Sequence, residues 1–523
     1  MSFFDDASLA FLPSGAAGKD GKAYSIKPTD GDGDFTFSRG SNLSATRIGS
    51  DGLIEKGREN LFLNSDTPAT QSITITNAGV YVLSFLGTGS IVASGGGSFT
   101  LNGTGGFDRV QNYFVASSTS VTLTISGTIT EPQLETGLAA TDYIESGAST
   151  GKAGLLEDEP RFDYSGGATC PSLLLEGSRT NLIPQSEYLL SGSGWNTNYM
   201  NREANATTSP QGIQNATKLT PTTDNQIHSF FKTSEQHTGH IYSAFVKANG
   251  YDWVLLTSHS TSAPSARGAF FYIANDGTAM DDRIGETGTG VTPAIEDYGN
   301  GWFRISIGAG SSPSSLFTII PSNADDVIQF AGDGTSGIYI YGLQRELGSY
   351  ATSYIPNHSG GSVTRGADAA LSSTLSLSKA DFTLFVEFEF YGVEAGDEQR
   401  FYISRGVDND SAILGIKNGT QIQMTRQSGG VTLFNDTLGA QFSAGNNYKY
   451  LGKWSSGDNK SFLNGVQKTS NTTTYADFTT DITHLNLTGT QPTDAMLDYG
   501  LKVKQVLYFP EALSDADCIT LTT

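Results

Sequence analysis

The chain of 523 residues has little of several things. Its two cysteines, Cys170 and Cys518, stand far apart without CxxC or Cys/His spacing, which excludes a disulfide framework and a zinc site of the usual pattern. Charged residues make up 16% of the chain, against about 25% in ordinary globular domains, so long solvated helices are not expected. Lys and Arg total 31 against 53 Asp and Glu, a formal charge of −22, and phosphate backbones and anionic membranes would repel such a chain. Nucleic acid is therefore excluded as a partner. No stretch approaches the roughly 18 apolar residues of a membrane helix, and residues 1–30 hold no basic region followed by an apolar one. Membrane insertion is not expected, and assembly in a cytoplasm is. Catalytic signatures are missing too: there is no P-loop, no GxGxxG after a strand, no HExxH and no GxSxG elbow.

What is present is glycine, 62 residues of it, with abundant Ser, Thr and aromatics. That mixture suits short strands joined by tight turns and predicts an all-β chain of tandem antiparallel β-sandwich or jelly-roll domains. At roughly 150 residues per domain the length allows three or four cores.

Two phrases are written twice. Gln133–Ile144 (QLETGLAATDYI) and Gln344–Ile355 (QRELGSYATSYI) share seven of twelve positions at an offset of 211. Upstream, Leu53, Ile54, Glu55, Arg58, Asn60, Leu61 and Ser65 match Leu174, Leu175, Glu176, Arg179, Asn181, Leu182 and Ser186 at an offset of 121. Each opening phrase is followed by a β-rich module and each module by a closing phrase, so the chain reads as a duplicated cassette. Gln133, Glu135, Gln344 and Glu346 are expected to hold backbone at the junctions.

The resulting division is an irregular N-terminal attachment or oligomerisation segment (1–65), a small β-sandwich (66–146), a connector repeating the opening phrase (147–186), a jelly roll (187–357) and a terminal sandwich (358–523). In the last, FTLFVEFEF puts Phe382, Leu384, Val386, Phe388 and Phe390 on one face. Asn418-Gly419 and Asn464-Gly465 predict type I′ hairpin turns. Ser514 and Asp517 have the spacing of a capping box before a short terminal helix.

The opening phrase FSRGSNLSATRIGSDGLIEKGRENLFLNS, its relative PRFDYSGGATCPSLLLEGSRTNLI and the closing phrase GLQRELGSYATSYIPNHSGGSVTRGAD resemble those of bacteriophage spike and fibre proteins of the head-spike or tail-fibre type. Residues 236–356, with SAFVKANG and YGNGWFRISI, resemble carbohydrate-binding-module-like jelly rolls. Residues 368–523, with SFLNGVQ and KVKQVLYFPEALSDAD, resemble laminin-G/concanavalin-like sandwiches. The resemblance implies a virion-surface structural protein that binds host-surface glycan. It implies contact with other virion proteins through the N-terminal segment and a homotrimer, with Phe3, Phe4, Leu9, Phe11 and Leu12 buried against symmetry mates or a virion socket. Two other readings stand beside it: a purely structural decoration or spacer, and a glycan depolymerase, since two carboxylates about 5–10 Å apart suffice for glycoside cleavage and no linear motif announces them.

Sugar recognition needs an aromatic face against the apolar side of a pyranose, with amides and carboxylates on its hydroxyls. Trp195, in a loop of Ser, Gly and Asn, and Tyr251 and Trp253, after the Asn249-Gly250 turn, are the candidate glycan-binding residues. Trp302 and Trp454, in alternating strands, are expected in cores. Asp30, Asp32 and Asp34 (DGDGD) are a calcium candidate without the position-twelve Glu of an EF-hand, and Asp408 with Asp410 a second. No other cofactor is expected. His237 and His240, the one close histidine pair, read as a loop.

Overall fold

The computed structural model describes residues 3–13, 18–19, 21–40, 43–190, 192–258, 264–308, 314–393, 399–406, 410–489 and 499–523. Among them the chain is almost wholly β, and every strand pairing is antiparallel. Three two-sheet sandwiches follow from the alternation seen in the sequence.

In the small sandwich, Phe99–Asn102, Ser90–Gly95, Ser120–Ser126 and Gln71–Thr74 form one sheet, and Val110–Val115, Val80–Gly87 and Ile129–Thr136 the other. Leu83, Phe85 and Leu134 meet Ile91, Val121 and Leu123 between them. The jelly roll has two six-stranded sheets. One is centred on Ser314–Ser322 and Trp253–Thr257, the other on Gly337–Leu347 and His240–Asn249. Alternation sends Val254, Leu256 and Phe271 into the core against Tyr242, Val246 and Ile340. Trp253, Leu255, Phe270 and Ile320 lie on the opposite face of their sheet in a separate apolar cluster. His237 ends one strand and His240 begins the next, so the pair brackets a short exposed connection, Thr238-Gly239.

The terminal sandwich packs an eight-stranded sheet on a nine-stranded one. Phe382, Leu384, Val386, Phe388 and Phe390 all enter its core, as their period of two requires, and Phe385 joins a second cluster on the other face. Asn418 and Gly419 have φ of 47° and 76°, and Asn464 and Gly465 46° and 76°, the positive values of a type I′ turn. Ser514 caps the helix Asp515–Thr522, accepting the Asp517 amide at 3.2 Å.

The N-terminal segment departs from expectation. It is built into the terminal sandwich: Leu9–Phe11 pairs with Tyr499–Phe509 (Leu9↔Tyr508, Phe11↔Val506), and Phe35–Ser38 pairs with Ala369–Ser372. Leu9 and Phe11 are fully buried in that core, and Phe3, Phe4 and Leu12 pack on its second cluster. The apolar run expected to face symmetry mates or a socket is thus consumed within the chain, because burying it locally satisfies both its side chains and a strand edge. The stretch 147–186 likewise differs from a loose connector. Arg161–Asp163 and Ser172–Glu176 are strands of the eight-stranded sheet, beside Tyr499–Phe509.

Candidate functional site

The repeated phrases fold into the same polar clamp twice. In the first, Gln133 Nε2 donates to Glu135 Oε1 (2.7 Å), the Thr141 amide and hydroxyl donate to Glu135 (2.8 and 2.7 Å), and the Ile144 amide donates to Gln133 Oε1 (2.7 Å). Gln344, Glu346, Thr352 and Ile355 repeat the pattern at 2.9, 2.9, 2.6 and 2.7 Å. Asn60 and Asn181 tie each opening phrase to its closing phrase by donating to the Ile144 and Ile355 carbonyls at 2.8 and 2.9 Å. The glutamines and glutamates hold backbone, as expected, and are not available to a ligand.

The opening phrases are hairpins carrying an Arg–Glu pair. Arg47 Nε lies 2.6 Å from Glu55, on the surface, and Arg161 Nη1 lies 2.6 Å from Glu176, fully buried. The buried pair belongs to a chain of alternating charges, Arg365–Glu176–Arg161–Asp368–Arg39, that joins the jelly roll's closing phrase to the terminal sandwich. Ser353 adds its amide (2.8 Å) and hydroxyl (2.6 Å) to Glu176. Burial alone would raise the Glu176 carboxyl, but the Arg365 and Arg161 guanidinium groups bring it well below the usual carboxylate range. This is structural machinery, because all its members are shielded from solvent.

Between the first and second modules a smaller group meets. His358 Nε2 is 3.2 Å from Lys56 Nζ and 3.5 Å from Glu187, whose further contacts include Lys56 (3.4 Å) and the Tyr354 hydroxyl (3.1 Å). Burial pushes the His358 imidazole down to about 4, over the opposing pull of Glu187, so it is neutral and accepts from Lys56. The unfolded chain binds a proton near pH 6.5 that the folded chain refuses until about pH 4. The stability contributed by the neutral imidazole is therefore complete above about pH 6.5 and is lost as the pH falls toward 4. Urea unfolding of the wild type should weaken across that window, by on the order of 3 kcal/mol, and His358→Gln should flatten the slope there.

The sequence-predicted platform residues are not brought together. Trp195 is 2% exposed, stacked on Phe230 (4.6 Å, 9°) with Phe317 against its edge, so the polar loop around it folds over the sandwich and the indole plugs the core. Tyr251 is also buried, with Phe330 5.1 Å from its ring. Trp253 alone is half-exposed. It pairs with Tyr272 across the strands Trp253–Thr257 and Gly268–Tyr272, with ring centroids 5.2 Å apart. The Tyr272 hydroxyl donates to Asp276 (2.7 Å), burial-poor Asp252 adjoins Trp253, and Arg283 lies 5.7 Å from the Tyr272 ring. Tyr272 was missed from the sequence because it reads as one more strand aromatic in AFFYI; the Asn275-Asp276-Gly277 turn behind it was the available signal.

The acidic loop is used internally. Asp34 Oδ1 accepts the Ser25 amide (2.9 Å), Asp30 Oδ1 accepts the Asp32 amide (3.1 Å), and the Asp32 carbonyl takes the Ser372 and Thr374 hydroxyls. Among the described residues no three His, Cys, Asp or Glu side chains converge on a cation position. Asp408 lies outside the described residues, and Asp410 pairs with Arg405 at 2.5 Å. Trp302 and Trp454 sit in cores with their indole N–H groups bonded to the Thr208 and Thr425 carbonyls.

One cleft stands out, of about 860 Å3, between the surface Arg47–Glu55 hairpin, the small sandwich and the 209–214 loop of the jelly roll. Its equivalent in the second cassette, lined by Leu174, Glu176, Ala351, Thr352, Ser353 and Tyr354, is only about 40 Å3. There the hairpin of the first cassette has moved in, with Thr46 donating to the Tyr354 carbonyl (2.6 Å) and Ile48 and Ile54 packed on Phe245, Trp302 and Tyr354. Duplication thus yields one filled junction and one open one.

No family model matches the chain, and neither does any curated protein. Among solved structures it is similar to the Ruminococcus gnavus IT-sialidase CBM40 bound to α2,3 sialyllactose, at 15% identity over 28% of this chain and 84% of that one, with a TM-score of 0.25. It is similar to an SAP-like pentraxin from Limulus polyphemus (9% identity, 28% and 72% covered, TM-score 0.24) and to the receptor-binding domain of botulinum neurotoxin C/D mosaic serotype (15%, 30% and 40%, 0.24). Likeness at this level carries no functional weight, and the reading below is built on this chain's own residues.

Proposed function

We propose that the protein is a structural component of a bacteriophage particle, of the head-spike or tail-fibre type, whose sandwich domains bind host-surface glycan. The virion role is supported by the resemblance of the duplicated phrases. The glycan role is carried by the Trp253–Tyr272 pair, an aromatic surface on the outer face of a six-stranded sheet with Asp252 and Asp276 beside it. Such a surface presents ring faces to the apolar side of a sugar and carboxylates to its hydroxyls. Leu255, Phe270 and Ile320, beside it on the same face, are fully buried and fix the strands that carry the pair.

Purified protein mixed with host cells and their polysaccharide should bind saturably and release no new reducing ends. Trp253→Ala should weaken that binding by about tenfold, the equivalent of roughly 1.4 kcal/mol of stacking, while the protein stays folded. New reducing ends would establish the depolymerase instead, and absence of both would leave a spacer. Density for the chain on the particle, by cryo-electron microscopy, tests the virion assignment separately.

A further inference from the structure

The open cleft of the first cassette has the chemistry of a second ligand site. Gln211, in the 209–214 loop, is only 9% exposed and lines the cleft, yet neither its Nε2 nor its Oε1 has a partner among the described residues. An unpaired buried amide costs about 1–3 kcal/mol, and a core position would be better served by an apolar side chain of the same shape. Arg58, on the facing strand Arg58–Asn60, likewise makes no ion pair or hydrogen bond through its guanidinium among the described residues, and Asp142 points no side-chain oxygen at a protein donor. Tyr143 lines the same space, held by Ser65 at its hydroxyl (2.6 Å) and by Arg109, 5.5 Å from its ring centroid.

These groups offer a planar amide, a donor fork, a carboxylate and an aromatic ring around about 860 Å3, within the roughly 300–1,000 Å3 of small-molecule sites. The lining carries four cationic and four acidic side chains, so it has no net charge to attract an ion. The chain's overall charge of −22 further disfavours anions. A second protein hairpin, such as fills the equivalent place in the other cassette, is less well matched, because that hairpin seats Ile48 and Ile54 on an aromatic face of Phe245, Trp302 and Tyr341. The open cleft has no such face.

We propose that this cleft binds a neutral, hydroxyl-rich saccharide, with the Gln211 amide, Arg58 and Asp142 on its hydroxyls and Tyr143 against its ring. The inference rests on the glycan-binding reading above but on different residues, so the two can fail separately.

The test uses the full chain and four neutral probes, maltotetraose, cellotetraose, mannotetraose and chitotetraose, with hydrogen exchange followed at each segment. At least one probe is expected to slow exchange at 140–144 and 209–214. Gln211→Leu, which replaces the unpaired amide by an apolar group of similar size, should keep or raise the melting temperature while weakening that probe by about tenfold or more. Arg58→Ala should weaken it similarly, and Trp253→Ala should leave the protection intact. Protection confined to strands 253–257 and 268–272 would overturn the cleft and keep the aromatic surface; protection confined to the cleft would do the reverse. Cleft protection in the assembled particle without sugar would mean that a protein fills it, and no protection by any probe would remove both sites.

Discussion

Removing residues 1–13 is expected to unfold or severely loosen the terminal sandwich, most of whose strands lie beyond residue 160. Leu9–Phe11 covers one half of the exposed edge of Tyr499–Phe509, and Ser172–Glu176 covers the other half. Loss of the first strand would bare main-chain groups at Val506–Tyr508 and empty the positions of Leu9 and Phe11 in the core. Phe11 packs edge-on against Phe35, 5.1 Å between centroids. Phe11→Ala alone should therefore cost about 3–5 kcal/mol, a large part of the roughly 5–15 kcal/mol that holds a domain together. Hydrogen exchange in Tyr499–Phe509 and Phe382–Val393 should accelerate and the melting temperature should drop in the isolated protein. An N-terminal segment that served only as a plug for a symmetry mate or virion socket would give unchanged exchange in the isolated chain, and that result would refute the packing described here.

The distance in sequence between these partners explains why the pairing was not legible beforehand. Leu9–Phe11 is three residues long and buried throughout, so it carries no alternation, and its pairing residue lies 495–499 positions away. Local pattern can show that FFDDASLAFL is apolar; it cannot show which edge it covers. By contrast FTLFVEFEF is long enough for its period to be read, the Asn-Gly turns have a local steric cause, and the duplicated phrases were visible because each clamp is closed by residues of fixed spacing. Trp195 misled for a related reason: its Ser- and Gly-rich neighbours suggest a solvent loop, and only tertiary folding places Phe230 and Phe317 around the indole. The cleft is not legible because Arg58, in the opening phrase, and Tyr143, in the closing phrase, meet Gln211 only through the fold.

The duplicated Arg–Glu pair allows burial to be measured against itself. Glu55→Gln, at the surface pair with side chains 25% and 41% exposed, should cost no more than about 1 kcal/mol, since solvent screens it. Glu176→Gln removes the same charge where all partners are buried. Arg161 and Arg365 would then face each other with Asp368 as their remaining counter-ion, and an amide would present a donor to Arg365 where a carboxylate oxygen had accepted. Breaking one member of a buried network in this way costs about 3–5 kcal/mol, because an uncompensated charge stays behind. The same logic gives the pH response: the carboxyl is held below its usual range, so its contribution is complete above about pH 4.5 and is lost as acid reaches its folded value. In Glu176→Gln that acid-sensitive step should disappear from the unfolding curve, whereas in Glu55→Gln it should remain. Since the network joins the jelly roll to the terminal sandwich, proteolysis between residues 356 and 368 should also quicken in the Glu176 variant alone. Equal costs for the two substitutions would mean that the buried chain of charges holds nothing together.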